Sequence, residues 1–393
     1  MGFDDFFDKP QFDYKIEKQK FIDNMDMLKD MTVQESTLYK KWFEVNQQKY
    51  LDKISASRKV KAQVWSPRDI LDEQKTIEDL ENFKPAIRLV ETPEDLELWT
   101  LLRVFCHTMS FDANPGRNLK FLMYDENNGK YFGVTSLGSD VVSIKCRDEY
   151  IGWSQDNKLK DKKLVHTTIG TCIMGTQPFG YNFLGGKFVA SLLTCEYIRS
   201  VWKKKYGQTL VGFTTTSLYG SNSMYNGIPY WKKVGSSAGK IAIKPDDSVY
   251  KSWHQWMKEN RGDLYKEKTT QKEGVSGPKT GVKQIILNMI FNEIGLKPSQ
   301  YAHGYKRGVY FAPIYENSQE YLQNKIDDSE LKLKRKFEGD VDAMLTWWRP
   351  KAINRYKKLL EQDRIKSDIL FYNRLCGLSW EEAKRGFLDE VGR

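Results

Sequence analysis

Two short apolar and aromatic runs, Leu119–Tyr124 and Lys130–Leu137, flank Asp125-Glu-Asn-Asn-Gly129, a dense turn signal. Strand, turn, strand in the middle of the chain commits it to a sheet, and the downstream segments limit the kind. Val141–Lys145 reads as a third strand candidate and Leu210–Thr216 as a fourth. Between them Val189, Leu192, Leu193, Tyr197, Ile198 and Val201 recur with a 3.6-residue period, which predicts one long helix from Lys187 to Lys205. Tyr206-Gly207 closes it, glycine being suited to the left-handed conformation of a helix C-terminus. Upstream, Thr92-Pro-Glu-Asp95 has the order of a helix start: a capping hydroxyl, a proline, then acids at the positive end of the dipole. These elements predict an α+β protein with a mixed, twisted central sheet.

The flanks read as helical, so the chain is expected to divide into a helical arm (1–85), an α/β core (86–245) and a mostly helical, basic region (246–393). Thr32-Val-Gln-Glu35 and Ser379-Trp-Glu-Glu382 are capping boxes, in which a hydroxyl and a carboxylate satisfy free amides at a helix start. Val282–Ile294 is an amphipathic helix, and Gly308–Ala312 a short strand. From Asp340 the chain is helical and basic. Arg349, Lys351, Arg355, Lys357, Lys358, Arg364 and Lys366 set seven bases against two acids in eighteen residues.

Lysine and arginine number 62 against 52 acids, a net charge of +10. That surplus favours a polyanionic partner, nucleic acid first. The five cysteines are scattered with no C-x-x-C pair, which argues against a disulfide framework or a zinc knuckle. No apolar run reaches the ~18 residues of a membrane span, and Met1-Gly-Phe-Asp-Asp lacks a signal core. A soluble cytoplasmic protein is expected, with DNA as partner and no membrane association.

Candidate chemistry is sparse. No Walker loop, dinucleotide fingerprint, kinase signature or G-x-S-x-G elbow is present. Of four histidines, His107 ends a helix beside Asp112 and suits a general base, a metal ligand or a plain helix C-cap. His303-Gly-Tyr-Lys-Arg307 joins an aromatic to Lys306 and Arg307, a mixture that suits phosphate contacts or a solvated loop. The glycine-rich Gly180-Tyr-Asn-Phe-Leu-Gly-Gly-Lys-Phe-Val-Ala-Ser191 leads into the long helix. Its amides could cradle a pyrophosphate, or Gly185 and Gly186 could simply permit a tight turn. The polar run Thr214–Tyr225 follows a strand, at the end where α/β sheets bind ligands.

Arg147-Asp148…Ile151-Gly-Trp153, Gly185-Gly-Lys187…Ala190-Ser-Leu-Leu193, Trp202…Tyr206-Gly207 and Phe213-Thr…Tyr225…Trp231…Gly235…Gly239 occur in this order over about a third of the chain. The series resembles the DruA family of anti-phage proteins and, more weakly, the phage Mom family of DNA-modifying proteins. Both resemblances imply a GNAT-like acyltransferase fold acting on DNA. Mom proteins add a carbamoylmethyl-type group to adenine. A Mom-like reading implies that His107, Thr216, Asn222 and Tyr225 form the catalytic set. Gly185, Gly186, Lys187, Ala190 and Ser191 would hold the phosphates of acetyl-CoA or a related acyl-CoA, and an iron ion is a further implied cofactor. Arg349, Lys351, Arg355, Lys357, Lys358, Lys306 and Arg307 would contact DNA, and Tyr219, Tyr225, Tyr230 and Trp231 would stack on an extruded base. Thr108 and Thr216 stand where the families place a tyrosine and an aspartate, and Phe188 where a GNAT loop has glycine. The rival expectations are a non-catalytic DNA-binding defence component of DruA type and a structural phage protein.

Overall fold

The computed structural model describes residues 12–29, 31–106, 116–217, 224–237, 245–270, 279, 281–301, 307–334, 340–366 and 374–390. The chain divides into two compact units that cut across the three consecutive segments read from sequence. One comprises 1–37, 238–305 and 390–393, the other 38–237 and 306–389.

The smaller unit is helical. Helices Tyr14–Lys29, Asp247–Asn260 and Val282–Ile294 bury Phe21, Met25, Trp253, Met257, Ile290 and Phe291 together. Val282–Ile294 has the predicted bounds, with glycines in the left-handed conformation at both ends (Gly281 φ +73°, Gly295 φ +80°). The Thr32 capping box also forms: the Thr32 amide donates to Glu35 Oε2 at 2.8 Å, and the Glu35 amide to Thr32 Oγ1 at 3.2 Å.

The larger unit holds a seven-stranded mixed sheet in the order β1-β2-β3-β4-β5-β7-β6. Its strands are β1 (Pro85–Leu89), β2 (Asn118–Asp125), β3 (Tyr131–Ser139), β4 (Thr167–Gly175), β5 (Gly212–Thr216), β6 (Lys232–Ser237) and β7 (Arg307–Pro313). Neighbours are antiparallel except β4 and β5, whose parallel pairing covers only Thr167–Ile169 against Gly212–Thr214. One face is covered by helices Gly185–Leu192, Glu196–Tyr206 and Asp340–Glu361, which bury Phe121, Phe188, Trp202, Phe213 and Trp348. The opposite face is covered at one end by helix Pro93–Cys106, through Leu102 and Phe105 against Leu122, Val134 and Met174. At the other end helix Lys145–Ile151 lies by Phe311.

Three sequence expectations are corrected. Val141–Lys145 is not a strand. The Asp140 carboxylate accepts the Val141 amide at 2.8 Å and Arg147 Nη1 at 2.7 Å, which turns the chain into the Lys145–Ile151 helix. The long 187–205 helix is two helices, Gly185–Leu192 and Glu196–Tyr206. Its break falls where the Thr194 hydroxyl takes the Ser191 carbonyl at 2.9 Å and Cys195 is extended (ψ 160°), since such hydroxyls compete for the carbonyls a helix needs. Strands β1, β4 and β6 have no counterpart among the strand candidates. β4 reads Thr-Thr-Ile-Gly-Thr-Cys-Ile-Met-Gly, with an interior glycine and little alternation.

Candidate functional site

At the carboxyl end of β5, the polar run is occupied by the fold. Thr214 Oγ1 donates to Asp140 Oδ2 at 2.7 Å. The Tyr225 hydroxyl is hydrogen-bonded with the Thr215 side chain. Its ring lies 5.2 Å from that of Tyr310 and 5.8 Å from that of Trp231. Burial pushes the Tyr225 phenol well above its ordinary value. Ser217 Oγ accepts the Gly308 amide at 2.7 Å, and Tyr310 donates to Asn226 Oδ1 at 2.7 Å. Thr216 is half-buried and stands opposite Val309. His107, Asn222, Tyr219 and Lys306 lie outside the described residues. Cys106, the residue before His107, accepts the Gln177 backbone amide, and burial pushes its thiol up to about 12.

The glycine-rich loop meets packing demands. A Cβ on Gly185 would collide with the Phe179 ring, and one on Gly186 would lie 2.7 Å from Met224 Sδ. The helix start therefore sits directly on its neighbours, and Gly185, against the Phe179 ring and carbonyl, needs glycine for close approach. Lys187 Nζ is tied to the Asn226 carbonyl. Ala190 and Ser191 are fully buried. Ala190 O accepts Trp231 Nε1 at 3.1 Å, and Ser191 Oγ donates to Phe188 O at 2.7 Å. Phe188 points into the core, stacked 4.5 Å from Trp348. With Met224 over Gly186 and Phe179 against Gly185, these residues do not fit the pyrophosphate of an acyl-CoA. Among the described residues no three His, Cys, Asp or Glu side chains are grouped as a metal site.

The bases of the long helix Asp340–Glu361 are partly drawn inward. Arg349 donates to the carbonyls of Leu80 and Phe83 at 2.9 and 3.1 Å, finishing the helix Glu73–Asn82. Arg355 donates to Tyr181 O at 2.8 Å, and Lys357 pairs with Glu73 at 3.0 Å. Lys351 and Lys358 are exposed. Arg307 opens β7, and its charge, after burial, lowers the Lys40 ammonium to about 8.

A different constellation lies on the sheet face between helices Pro93–Cys106 and Lys145–Ile151. Strand register defines three rows there, since alternate residues share a face. Leu122, Val134 and Met174 form the row under Pro93–Cys106. Gly138, Ile169, Thr214 and Phe311 form the row that reaches Lys145–Ile151. Between them run Lys120, Ser136 and Cys172, directly opposite one another. The β3–β4 register slips here: Ser136 pairs with Cys172 and Leu137 with Gly170, so Thr171 is an extra residue in the central strand. Such bulges re-aim a side chain. Thr171 Oγ1 meets Ser136 Oγ at 2.6 Å, and Lys120, Ile169 and Thr171 stay half-exposed.

Charge on this strip is positive. Lys120 Nζ and Arg103 Cζ lie 5.5 and 5.4 Å from the centroid of the same Trp99 ring. Arg103 is also hydrogen-bonded with the buried Cys172 thiol. Burial first, then Arg103 and Lys205, push the Lys120 ammonium below its ordinary value. Among the described residues Lys120 makes no ion pair. Lys205 belongs to Lys203-Lys204-Lys205, exposed in the last turn of Glu196–Tyr206, where cations oppose the negative end of the dipole. Sequence reading missed Lys120, Arg103, Ser136 and Thr171, because a single lysine or threonine on a strand carries no motif.

Beneath the row of Thr214 lies a closed ionic network. Arg147 has no solvent exposure and donates to Asp140, to Asp148 and to Val141 O, while Lys158 Nζ reaches Asp148 Oδ2 at 2.6 Å. The Trp153 ring lies 5.2 Å from the Arg147 guanidinium.

A profile of the family described as "Druantia protein DruA" matches residues 35–324. The Druantia protein DruA of Escherichia coli (strain UMEA 4076-1) is 28% identical over 273 residues, covering 64% of this chain and 65% of that protein. The chain thus spans just under two thirds of the length of this curated relative. No solved structure matches. No helix among the described residues is long and apolar enough to cross a membrane.

Proposed function

The chain belongs to the DruA family, and on that premise we propose that it is a DruA-type anti-phage defence component that engages DNA through the phosphate backbone and does not modify the bases. The observation that carries the reading is Lys203-Lys204-Lys205: three exposed cations at one helix end, in a chain with a net charge of +10. Neutralising phosphates with such lysines releases counterions, which gives sequence-independent affinity. Lys351 and Lys358 extend the basic surface.

A binding role also accounts for the polar run. Thr214, Thr215, Ser217 and Tyr225 are consumed by hydrogen bonds within the fold, so their density needs no reaction to explain it. The GNAT-like, base-modifying reading would require Phe179 and Met224 to leave the glycine loop. Two measurements test the proposal. Fluorescence anisotropy with labelled duplex DNA should give a salt-dependent affinity, and the Lys203, Lys204, Lys205→Ala variant should flatten its slope by about 0.9 for each phosphate no longer neutralised. DNA co-expressed with the protein, digested to nucleosides, should contain no new mass. A protein that binds no DNA, or DNA that carries a new nucleoside, overturns the reading.

A further inference from the structure

We infer that helix Asp340–Glu361 carries a track for single-stranded DNA, on which bases stack against Trp347 and Tyr181 while Lys351, Arg355, Lys358 and Lys366 lie along the phosphates. The inference rests on the reading that the protein engages DNA, and it names the form of DNA engaged.

Three observations converge on this helix. The first is its facing. At 3.6 residues per turn, Trp347, Lys351, Arg355 and Lys358 fall within about 80° of arc and span about 16 Å of the axis. Arg349 and Lys357, which bond the Leu80 and Phe83 carbonyls and Glu73, fall outside that arc. Among the described residues no acid pairs with Lys351, Arg355, Lys358 or Lys366.

The second is the pairing of rings with cations. Lys351 Nζ lies 5.8 Å from the Trp347 centroid. Tyr181 is flanked by two cations brought from far along the chain, Arg355 Cζ at 5.0 Å and Lys366 Nζ at 4.5 Å from its centroid. The main chain around this ring is fixed. The Tyr181 amide donates to Gln177 Oε1 at 3.0 Å, and its carbonyl accepts Arg355 Nε at 2.8 Å. Fully buried Asn182 donates to Lys366 O at 2.8 Å and accepts the Lys366 amide at 3.1 Å, which pins Lys366 beside the ring.

The third is what these rings leave open. Trp348 donates to Phe183 O and Tyr356 to Ile70 O, as buried aromatics with a polar handle do. Trp347 and Tyr181 are half-buried, and among the described residues neither the Trp347 indole N–H nor the Tyr181 hydroxyl has a hydrogen-bond partner. A single strand offers its base faces to such rings and its phosphates to the cations between them, with no need to read sequence. A duplex keeps its base faces inside the stack and meets the cations alone.

The test uses the full chain and fluorescein-labelled oligonucleotides, read by anisotropy over a salt series: a mixed-sequence single strand, an abasic strand of the same length and the corresponding duplex. Wild-type protein should bind the intact strand at least about fivefold tighter than the abasic one, the effect of stacking one base. Trp347→Ala and Tyr181→Ala should each weaken binding of the intact strand about fivefold or more, with the abasic strand, the duplex and the salt slope unchanged. Trp347→Phe should restore binding. Lys351→Gln should instead lower the slope on single strands by about 0.7. Where an alanine variant fails to fold, the intact and abasic strands compared on wild-type protein still decide. Equal affinity for those two strands, or alanine variants that bind the intact strand like wild type, overturns the track; the DNA-engaging reading then stands if duplex binding still depends on Lys203, Lys204 and Lys205. Protein that binds none of the three oligonucleotides overturns both.

Discussion

Replacing Arg147 tests how far the larger unit depends on its ionic network. Arg147 is fully buried and holds Asp140 at 2.7 Å and Asp148 at 2.7 Å, with a further bond to Val141 O at 2.8 Å. Arg147→Met keeps most of the volume and removes the charge. Lys158 then remains for Asp148, and Asp140 keeps Thr214 Oγ1 and the Val141 amide but no cation. Breaking a buried pair by deleting one partner costs about 3–5 kcal/mol. Loss of the guanidinium over Trp153 adds about 0.5–2 kcal/mol. For a unit of this size the first figure corresponds to a melting temperature lower by roughly 5–8 °C. The assay is thermal and urea unfolding followed by tryptophan fluorescence. A loss below about 1 kcal/mol would refute the claim that Arg147 neutralises buried acids.

Phe188→Ala should cost about 3–5 kcal/mol in urea unfolding, since the ring stacks on Trp348 in the core, and calorimetry should detect no gain of acyl-CoA binding. Arg349→Ala should lower stability by about 1–3 kcal/mol, because the Leu80 and Phe83 carbonyls lose their donor, while the salt slope of DNA binding stays unchanged; a flattened slope would return Arg349 to the DNA surface. Burial holds the Cys106 and Cys195 thiols at about 12, so their thiolate fraction at pH 8 is smaller than in the unfolded chain. Native alkylation at pH 8 followed by mass spectrometry should therefore spare both, and urea should expose them; rapid native labelling of either contradicts the burial.

Local chemistry was legible in the sequence wherever a signal is short-range. Capping boxes at Thr32 and Ser379, the glycine after Tyr206, the turn at Asp125–Gly129 and the apolar period of Val282–Ile294 each act within a few turns of chain, and each appears as read. The mixed α+β class followed from them. The tertiary structure decided what side chains distant in the chain do to one another. The polar run that starts at Thr214 looked like a ligand site until Asp140 came within 2.7 Å of the Thr214 hydroxyl, and Gly185 like part of a phosphate loop until Phe179 packed on it. Lys120, Ser136 and Thr171 carry no signal in sequence, because a register slip between two strands, set by long-range pairing, is what puts them in one place. Periodicity records which face of an element is apolar; which polar groups that packing then brings together is fixed only when the sheet closes.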